Sequence, residues 1–333
     1  MLILGIETTC DETSCAVVRN GREILSLVTA SQVEQHQPFG GVVPELACRR
    51  HIDAIVPVLE ASLRDAKITL DDVDAVAVAR GPGLIGALLI GVQFAKALAW
   101  TLGKPVVGVH HVEAHLYAAI MSAPPEATSF PALGLVLSGG HTSLFVIRDI
   151  GDYQRLGATV DDAIGEAFDK CARILGCPYP GGPEIERLAK GGDPKRFAFR
   201  SGRVKSSRLN FSFSGIKTAV LYTVQALEKK APLTEQDRRD IAASFQKALF
   251  DDVIEKTALA LTSSALSSVF LGGGVTQNRA LREQFASRIG AASHFAPPAL
   301  CLDNAAMIAG LGYEQLQRGL AQVAFEAQAV TDF

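Results

Sequence analysis

Two strand–turn–strand patterns, one at the start of the chain and one after a proline-rich segment, constrain the fold more than any other sequence feature. In the first, Leu2–Thr8 is predicted to be a buried strand, and a polar turn separates it from a second apolar run, Ser14–Arg19. In the second, Ala132–Leu137 precedes the glycine turn Ser138-Gly139-Gly140-His141-Thr142 and then Ser143–Arg148. This recurrence predicts an internal duplication.

The boundary between the two halves is predicted at the proline-rich segment between Ala123 and Pro131. The chain has 333 residues, of which 48% are apolar and 20% charged, enough for two lobes with substantial cores. We expect an N-terminal lobe over residues 1–128 and a C-terminal lobe over 129–310, with an inserted helical and basic segment at about 160–245. Residues from about 311 to 333 are expected to form a helix that packs back on the N-terminal lobe.

Charge and cysteine spacing exclude several classes of protein. The net charge of −3 provides no global attraction to nucleic acid, so any RNA contact needs a local basic patch. None of the six cysteines forms a CxxC pair, which argues against a zinc ribbon and favours reduced thiols in a cytoplasm. The apolar stretch Ala87–Trp100 is interrupted by Gln93 and Lys96, so no membrane span is expected.

Two histidines four residues apart, His111 and His115 in HHVEAH, are candidate metal ligands. Residues at this spacing project from one face of a helix, and Asp303 in CLDNAAM could complete a set of two histidines and one carboxylate. Simpler interpretations stay open: the histidines could be ordinary core or surface residues, and Asp303 could cap the following helix. In the HExxH motif of zinc peptidases the glutamate directly follows the first histidine, whereas Glu113 lies two residues on, which disfavours a peptidase.

Glycine-bearing turns after predicted strands are places where bare backbone N–H groups can bind phosphate. The turn from Leu137 to His141 carries more polar donors than a hairpin needs, so it is predicted to bind a phosphate or a carboxylate. Gly272-Gly273-Gly274 follows a strand and opens a helix, where Asn278 could bond a ribose or a base. The turn Gly81–Gly86 lacks the lysine of a P-loop and is interpreted as helix-start packing.

Two charged segments lie in the second half. An acidic helix carries Asp161, Asp162, Glu166 and Asp169. Such a run usually forms a solvated face, although Asp169 lies beside the apolar side of the helix and could reach into a cleft. Lysines, arginines and phenylalanines alternate over residues 195–213, and no acidic residue occurs between Asp193 and Glu228. This composition fits single-stranded RNA, whose bases stack on aromatic rings; an ordinary solvated loop is the alternative.

Ten sequence blocks resemble those of the TsaD family and occur in the same order. They are GIETTCDETSCAVV, GGVVPELACRRH, ARGPGLIGALLIG, HHVEAHLYA, LVLSGGHTSL, DDAIGEAFDK, YPGGPEIERLA, FSFSGIKTA, LGGGVTQNRALR and CLDNAAMIA. They extend over nearly the whole chain, from Leu2 to about Gly319. The resemblance implies the actin-like ATPase fold, an α/β fold shared with sugar kinases and chaperone ATPases, with two duplicated lobes around a nucleotide cleft.

The resemblance also implies an activity. Members of the family are acyltransferases that move a threonylcarbamoyl group from threonylcarbamoyl-AMP to N6 of an adenosine in tRNA. That adenosine lies just 3′ of the anticodon in tRNAs that read codons beginning with A. Bacterial members work with TsaB-like and TsaE-like proteins, so tRNA and these two proteins are the expected partners, and ATP or ADP is a further candidate ligand.

By motif, His111, His115 and Asp303 resemble the family's metal ligands, with iron(II) expected and zinc as the alternative. The residues that resemble its substrate contacts are Leu137, Ser138, Gly139, Gly140, His141, Asp169, Gly182, Glu186 and Asn278. Adenine N6 is a weak nucleophile because its lone pair is delocalised, so a carboxylate that accepts its proton is expected; Asp11 and Glu12 are the candidates. A noncatalytic scaffold of the tRNA-modifying complex and a small-molecule kinase or ATPase of this fold stay open as alternatives.

Overall fold

The computed structural model describes residues 1–330 and divides the chain into two compact units. Unit 1 comprises residues 1–129, 149–153 and the chain from residue 296 onwards, and unit 2 comprises residues 130–148 and 154–295. The strands are β1 (Leu2–Glu7), β2 (Glu12–Arg19), β3 (Glu23–Ser31), β4 (Ala75–Gly81), β5 (Val106–His110), β6 (Ala132–Leu137), β7 (Thr142–Asp149), β8 (Asp152–Ala158), β9 (Ser268–Gly272) and β10 (Ala292–Phe295). The helices are α1 (Val33–His36), α2 (Pro44–Ala66), α3 (Ile85–Leu102), α4 (His111–Ser122), α5 (Ile164–Ile174), α6 (Gly181–Ala189), α7 (Ser214–Glu228), α8 (Glu235–Ser264), α9 (Arg279–Arg288), α10 (Pro298–Cys301) and α11 (Ala305–Gln317).

The two five-stranded sheets have the same connectivity. The first has the order β3-β2-β1-β4-β5, and the second, taken from its other edge, has the order β8-β7-β6-β9-β10. In the first sheet β1 pairs antiparallel with β2 and parallel with β4, and in the second β6 pairs antiparallel with β7 and parallel with β9. A four-residue turn joins the antiparallel strands in each case. This repeated topology confirms the predicted duplication.

Each sheet is the centre of a separate core. Strands β1, β2 and β4 are almost continuously buried, as expected for strands covered on both faces. Helices α2 and α11 pack against this sheet. The core of unit 2 includes fully buried phenylalanines from three helices, Phe168, Phe245, Phe250 and Phe285.

The end of the chain differs from the sequence-based expectation. Residues 296–310, expected in the C-terminal lobe, belong to unit 1 because α11 packs on β1, β2 and β4. The prediction of a helix over residues 311–333 is wrong beyond Gln317, since Gly319 takes a left-handed backbone with φ of +67°. The following residues pack on unit 1 without regular structure, and residues 331–333 lie outside the described part of the chain.

Helix α3 has 18 residues and a mean hydropathy of 1.6, values that a membrane-spanning helix would also have. In this structure α3 packs against β4 and α2. Lys96 on this helix donates to the carbonyl oxygen of Phe325 at 2.5 Å. These are the contacts of a helix that flanks a sheet, and the expected absence of a membrane contact stays a prediction.

Candidate metal centre and substrate turns

The two candidate histidines lie on α4, which begins directly after β5. His110, the last residue of β5, is the N-cap of α4, and its side chain accepts a hydrogen bond from the N–H of Glu113 at 3.4 Å. Almost every residue of α4 is buried, so the rings of His111 and His115 lie inside unit 1. Their centroids are 4.7 Å apart in an edge-to-face arrangement.

Asp303 meets both histidines. Its Oδ1 lies 3.5 Å from Nε2 of His111 and 3.2 Å from Nε2 of His115. One potential ligand atom from each of the three residues lies within 4.8 Å of the others. The alternative that Asp303 caps the following helix is wrong, because the N-cap of α11 is Asn304, whose side-chain oxygen accepts from the N–H of Met307 at 3.1 Å. The Asp303 carboxylate is therefore not needed at the helix end.

A fourth residue, Glu7 at the end of β1, orients the set. Its Oε2 lies 3.0 Å from Nδ1 of His111, and its Oε1 accepts from the N–H of Thr9 at 2.5 Å. When the ring is neutral, the Glu7 carboxylate, which can only accept, keeps the hydrogen on Nδ1 of His111 and leaves the lone pair of Nε2 on the side of Asp303. Glu7 was not among the residues predicted from the sequence. The sequence did contain a signal for Glu7. It is a carboxylate at the end of a buried strand, and a buried carboxylate requires a partner.

The two histidines differ in their electrostatics. Burial disfavours the charged imidazolium at His111, but the carboxylates of Glu7 and Asp303 outweigh burial and raise its pKa to about 9. Burial lowers the pKa of His115. Both ring nitrogens of His115 are buried without an assigned hydrogen-bond partner among residues 1–330, and Nε2 approaches Oδ1 of Asp303 at 3.2 Å. A buried imidazole of this kind fits a metal ligand, and a bound cation would displace the proton from His111.

The first polar turn, which ends with Asp11 and is followed by Glu12 at the start of β2, is held by His51 of α2. Nε2 of His51 donates to the carbonyl oxygen of Cys10 at 3.0 Å, and Nδ1 accepts from the hydroxyl of Thr13 at 2.8 Å. Burial lowers the pKa of His51 and so favours the neutral ring, in which Nδ1 accepts because Nε2 carries the hydrogen. The backbone is thereby fixed on both sides of the two carboxylates.

Asp11 and Glu12 form a pair of neighbouring carboxyl groups. Burial, and then the negative charges of Asp11 and Asp303, raise the pKa of Glu12 well above its usual range. Glu12 is therefore the group that holds a proton when no cation is near, and a cation at Asp303 would oppose this shift. Their part in the reaction stays a prediction.

In unit 2, the turn after β6 exposes bare backbone. The N–H of Ser138 donates to the carbonyl oxygen of His141 at 2.8 Å, and the hydroxyl of Ser138 accepts from the N–H of His141 at 3.0 Å. A Cβ on Gly139 or Gly140 would meet no atom within 4 Å, so both glycines face open space, as phosphate binding requires. The start of α5 abuts the same turn, because Gly165 donates to the carbonyl oxygen of Ser138 at 3.2 Å.

The glycine turn after β9 packs against the turn after β6. Gly273 has φ of +98°, and a Cβ on it would lie 2.4 Å from the carbonyl oxygen of Leu137. Asn278 is the N-cap of α9; its oxygen accepts from the N–H of Leu281 at 3.2 Å, and its amide donates to Gln246 at 2.8 Å. The side chain of Asn278 thus has a structural role, and its contact with a ribose or a base stays a prediction.

The other predicted substrate residues of unit 2 join this cluster. Asp169 of α5 accepts from the N–H of Gly181 at 2.7 Å, at the start of α6. A Cβ on Gly181 would lie 2.6 Å from the Cα of Asp169, whereas Gly182 faces open space. Glu186 of α6 accepts from the N–H of Arg279 at 2.9 Å. The predicted substrate residues therefore form one connected group, in which Gly139, Gly140 and Gly182 supply open backbone.

The basic segment of residues 195–213 uses its aromatic rings for the core. Phe211 and Phe213 are fully buried. Phe197 and Phe199 are partly buried against the core of unit 2 and stack on each other with centroids 5.9 Å apart. The prediction that these rings stack on RNA bases is wrong for Phe211 and Phe213, which are fully buried, and stays a prediction for the partly exposed Phe197 and Phe199. The helix-start interpretation of the Gly81–Gly86 turn is confirmed, since the turn precedes α3 and packs on the loop after β1.

Comparisons with known proteins point to one family. The family model described as "TsaD: tRNA N6-adenosine threonylcarbamoyltransferase" matches residues 23–310. The tRNA N6-adenosine threonylcarbamoyltransferase of Protochlamydia amoebophila is 56% identical over 321 residues, which cover 95% of this chain and 93% of that protein. The protein of the same name from Bacillus subtilis is 47% identical over 324 residues, which cover 96% of this chain and 92% of that protein.

A solved structure supports the fold independently of sequence. The crystal structure of full-length HypF in a phosphate- and nucleotide-bound form superposes with a TM-score of 0.62 at 14% identity. The match covers 96% of this chain and 47% of that chain. At this identity the similarity shows the fold alone. Together with the duplicated sheets, it confirms the actin-like ATPase fold that the sequence resemblance implied.

Proposed function

Since the chain belongs to the TsaD family of tRNA N6-adenosine threonylcarbamoyltransferases, we propose that it takes its acyl group from threonylcarbamoyl-AMP. The acceptor is N6 of the adenosine just 3′ of the anticodon in tRNAs that read codons beginning with A. The observation that carries this proposal is the convergence of His111, His115 and Asp303, with the carboxylate of Glu7 behind His111. A noncatalytic scaffold would not need such a set.

We propose iron(II) as the bound metal. Two imidazoles and one carboxylate are typical of non-haem iron(II) sites, although zinc accepts the same donors. The buried ring nitrogens of His115, which make no hydrogen bond with residues 1–330, support a cation at this point. When bound, such a metal supplies Lewis acidity toward the carbamoyl carbonyl. The protein's part is to hold it with His111, His115 and Asp303 and to fix the His111 ring through Glu7.

The glycine turns of unit 2 are proposed to bind threonylcarbamoyl-AMP. The open backbone at Gly139 and Gly140 suits the phosphate of the AMP moiety. Gly182, at the start of α6, is a second place where this ligand can contact open backbone. Asp169 and Glu186 hold α6 and α9 in place through backbone N–H groups. ATP or ADP carries the same phosphate chemistry and is the alternative ligand of these turns.

The transfer forms a bond between N6 and the carbamoyl carbon, breaks the anhydride C–O bond and releases AMP and one proton. We assign the proton to the neighbouring carboxyl groups of Asp11 and Glu12, because a positioned carboxylate can accept a proton from a reacting amine. The raised pKa of Glu12 makes its carboxylate a stronger base, which supports this assignment. His51 keeps the turn beside both residues in place.

The proposed partners are tRNA, a TsaB-like protein and a TsaE-like protein. Exposed apolar side chains on two helices that pack against each other, α2 and α3, support a protein partner. They are Ile52, Val56, Ile85 and Leu89. Exposed apolar groups of this kind are typical of interfaces, and we assign them to the TsaB-like protein. All six cysteines are free thiols, which supports a cytoplasmic location.

The test uses purified protein, preformed threonylcarbamoyl-AMP, unmodified tRNA and the two partner proteins, with mass spectrometry of the digested nucleosides. Asp303→Asn removes one ligand charge, while Asn304 still caps α11. We expect modified adenosine from the wild-type protein, and a fall of roughly 100-fold or more in metal affinity and turnover in the variant. Asp149→Asn, which changes an exposed aspartate of unit 1, is the matched control.

Each other outcome selects a different interpretation. Equal product from Asp303→Asn and wild type would keep the transferase and remove the metal from its mechanism. No product with a demonstrably active partner set would favour the scaffold, and sugar phosphorylation without tRNA would favour the kinase. In the same assay, Asp11→Ala and Glu12→Ala should lower turnover and retain the metal; full turnover in both would remove them from proton transfer.

A further inference from the structure

The segment of residues 195–213, called the basic loop below, is firmly held although it contains no helix or strand. At its start, the guanidinium of Arg196 contacts two aspartates of α8, each at 2.6 Å. At its end, the carboxylate of Asp161 accepts hydrogen bonds from the backbone and hydroxyl groups of residues 212–214. The four buried or partly buried phenylalanines attach the loop to the core of unit 2. The loop is therefore a fixed platform.

Four cations that follow Arg196 on this platform have no ionic partner within residues 1–330. They are Arg200, Arg203, Lys205 and Arg208. All four are exposed, and no side chain of theirs forms an ion pair or hydrogen bond with any of residues 1–330. By contrast, Arg196 of the loop pairs with two aspartates, and Lys256 of α8 pairs with Asp252. Like charges held close together on a rigid loop repel one another, and a bound polyanion would relieve this repulsion.

Three of these cations, the arginines, line a cavity of about 820 Å³ between the loop and α8. Three acidic residues of α8 line it too, but Asp251 and Asp252 are already neutralised by ion pairs with neighbouring lysine and arginine side chains. Glu255 is the one carboxylate of this lining that has no ionic partner among the described residues. The unpaired charge around the cavity is therefore positive.

We propose that the basic loop binds the sugar–phosphate backbone of the tRNA substrate. This inference rests on the proposed function, because it takes tRNA as the substrate. One guanidinium group can donate two parallel hydrogen bonds to the oxygens of a phosphate, and a lysine adds a point charge. Phe211 and Phe213 are fully buried and the charged groups supply the exposed contacts, so we expect the loop to position the tRNA through its phosphates and not to select its sequence. Because the net charge of the chain is −3, the whole molecule does not attract tRNA, and tRNA binding requires a local positive cluster of this kind.

The test compares two variants that each lose four positive charges. The loop variant is R200A/R203A/K205A/R208A. The control variant is R173A/K190A/K229A/K230A, which removes exposed cations of unit 2 that also have no ionic partner within residues 1–330. Binding of one substrate tRNA and one non-substrate tRNA is measured between about 50 and 200 mM salt. Thermal unfolding and metal content are recorded for every variant, and turnover is measured with the partner proteins present.

We expect the loop variant to bind both tRNAs about tenfold or more weakly at physiological salt, by the same factor for each. The slope of log affinity against log salt should fall by about 3, because each lost phosphate contact contributes roughly 0.7–0.9. KM for tRNA should rise while kcat is retained. The control variant should behave like the wild type, and R200K/R203K/R208K should recover most of the affinity because charge is kept.

Three results would overturn the proposal. One is an unchanged affinity and salt slope in the loop variant. Another is a loss confined to the substrate tRNA, which would indicate base readout. The third is normal tRNA binding by the free chain together with lost assembly, which would make the loop a protein interface. If the wild type makes no modified adenosine, the proposed function fails, and the binding measurements still decide the role of the loop.

Discussion

Glu7 gives the two histidines of the metal set unequal environments. Its carboxylate holds Nδ1 of His111 at 3.0 Å. His115 has no such support, since neither of its ring nitrogens makes a hydrogen bond with any described residue. A carboxylate behind a ligating histidine fixes the tautomer and raises the basicity of the ring. The contribution of Glu7 should therefore appear in metal affinity rather than in the fold.

Glu7→Gln is expected to weaken metal binding about 10- to 100-fold. The amide oxygen can still accept the hydrogen on Nδ1 of His111, but the negative charge that makes the ring more basic is lost. Titration of the metal against a competing chelator would measure the change. Glu113→Gln is the matched control, because Glu113 lies on α4 and bonds no ligand side chain. Equal weakening in both variants would indicate a general disturbance of unit 1 and contradict the orienting role.

The same residues show what a sequence can and cannot predict at this scale. His111 and His115 were found because their spacing has a meaning within a single helix. Glu7 was missed because its partner lies 104 residues away and meets it only through the strand order β1-β4-β5. From the sequence Asp303 could have been the cap of the following helix, and only the fold assigns that role to Asn304.

Among the elements, short strands were predicted closely and the tail was not. The strand predicted at Ala132–Leu137 is β6, residue for residue, because an apolar run between turn residues defines it locally. The tail contains residues that favour a helix, yet the chain turns at Gly319. It then packs on β5, where Gly108 donates to the carbonyl oxygen of Gln322 at 2.9 Å and Phe325 is buried. Tertiary contacts override helix propensity here.

Phe325 is expected to be the main anchor of this tail. Phe325→Ala should lower the free energy of unfolding by about 3 kcal/mol, because it removes a buried ring. Val323→Ala is the control, since Val323 lies in the same tail with 59% of its surface exposed, and it should change stability by less than about 0.5 kcal/mol. Urea denaturation would measure both values.

Gly108→Ala tests the contact between Gly108 and the ring of Phe325 directly. A Cβ on Gly108 would lie 2.5 Å from the ring of Phe325, so the substitution alone should be destabilising. In the Phe325→Ala background the methyl group would occupy vacated space. We expect the two changes to be non-additive by about 1 kcal/mol or more. Simple additivity would mean that the tail moves aside freely and does not depend on this contact.

For the whole molecule, the sequence predicted the duplicated sheets but not which unit holds the candidate metal ligands. The repeated strand–turn–strand pattern predicted two related sheets, and both have the same connectivity. The carboxylates of Asp11 and Glu12 lie where the turn after β1 meets β2, whereas the turn after β6 carries glycines. The metal candidates all belong to unit 1, because the chain returns there after residue 295 and brings Asp303 with it. That return depends on the packing of α11, which no local pattern encodes.

Metal binding is therefore expected to stabilise unit 1 of the free chain selectively. Glu7, His111, His115 and Asp303 come from three distant segments of the sequence. A cation held by the last three joins α4 to the start of α11, and the contact of Glu7 with His111 adds β1. A metal at 100 times its Kd adds about 2.7 kcal/mol to the folded state that binds it. Hydrogen exchange with and without zinc, as a redox-inert probe, should show added protection in β1, α4 and the start of α11. Peptides from β6, β9 and α8 of unit 2 should be unchanged, and His111→Ala should abolish the response. Equal added protection in both units would contradict a site that belongs to unit 1 alone.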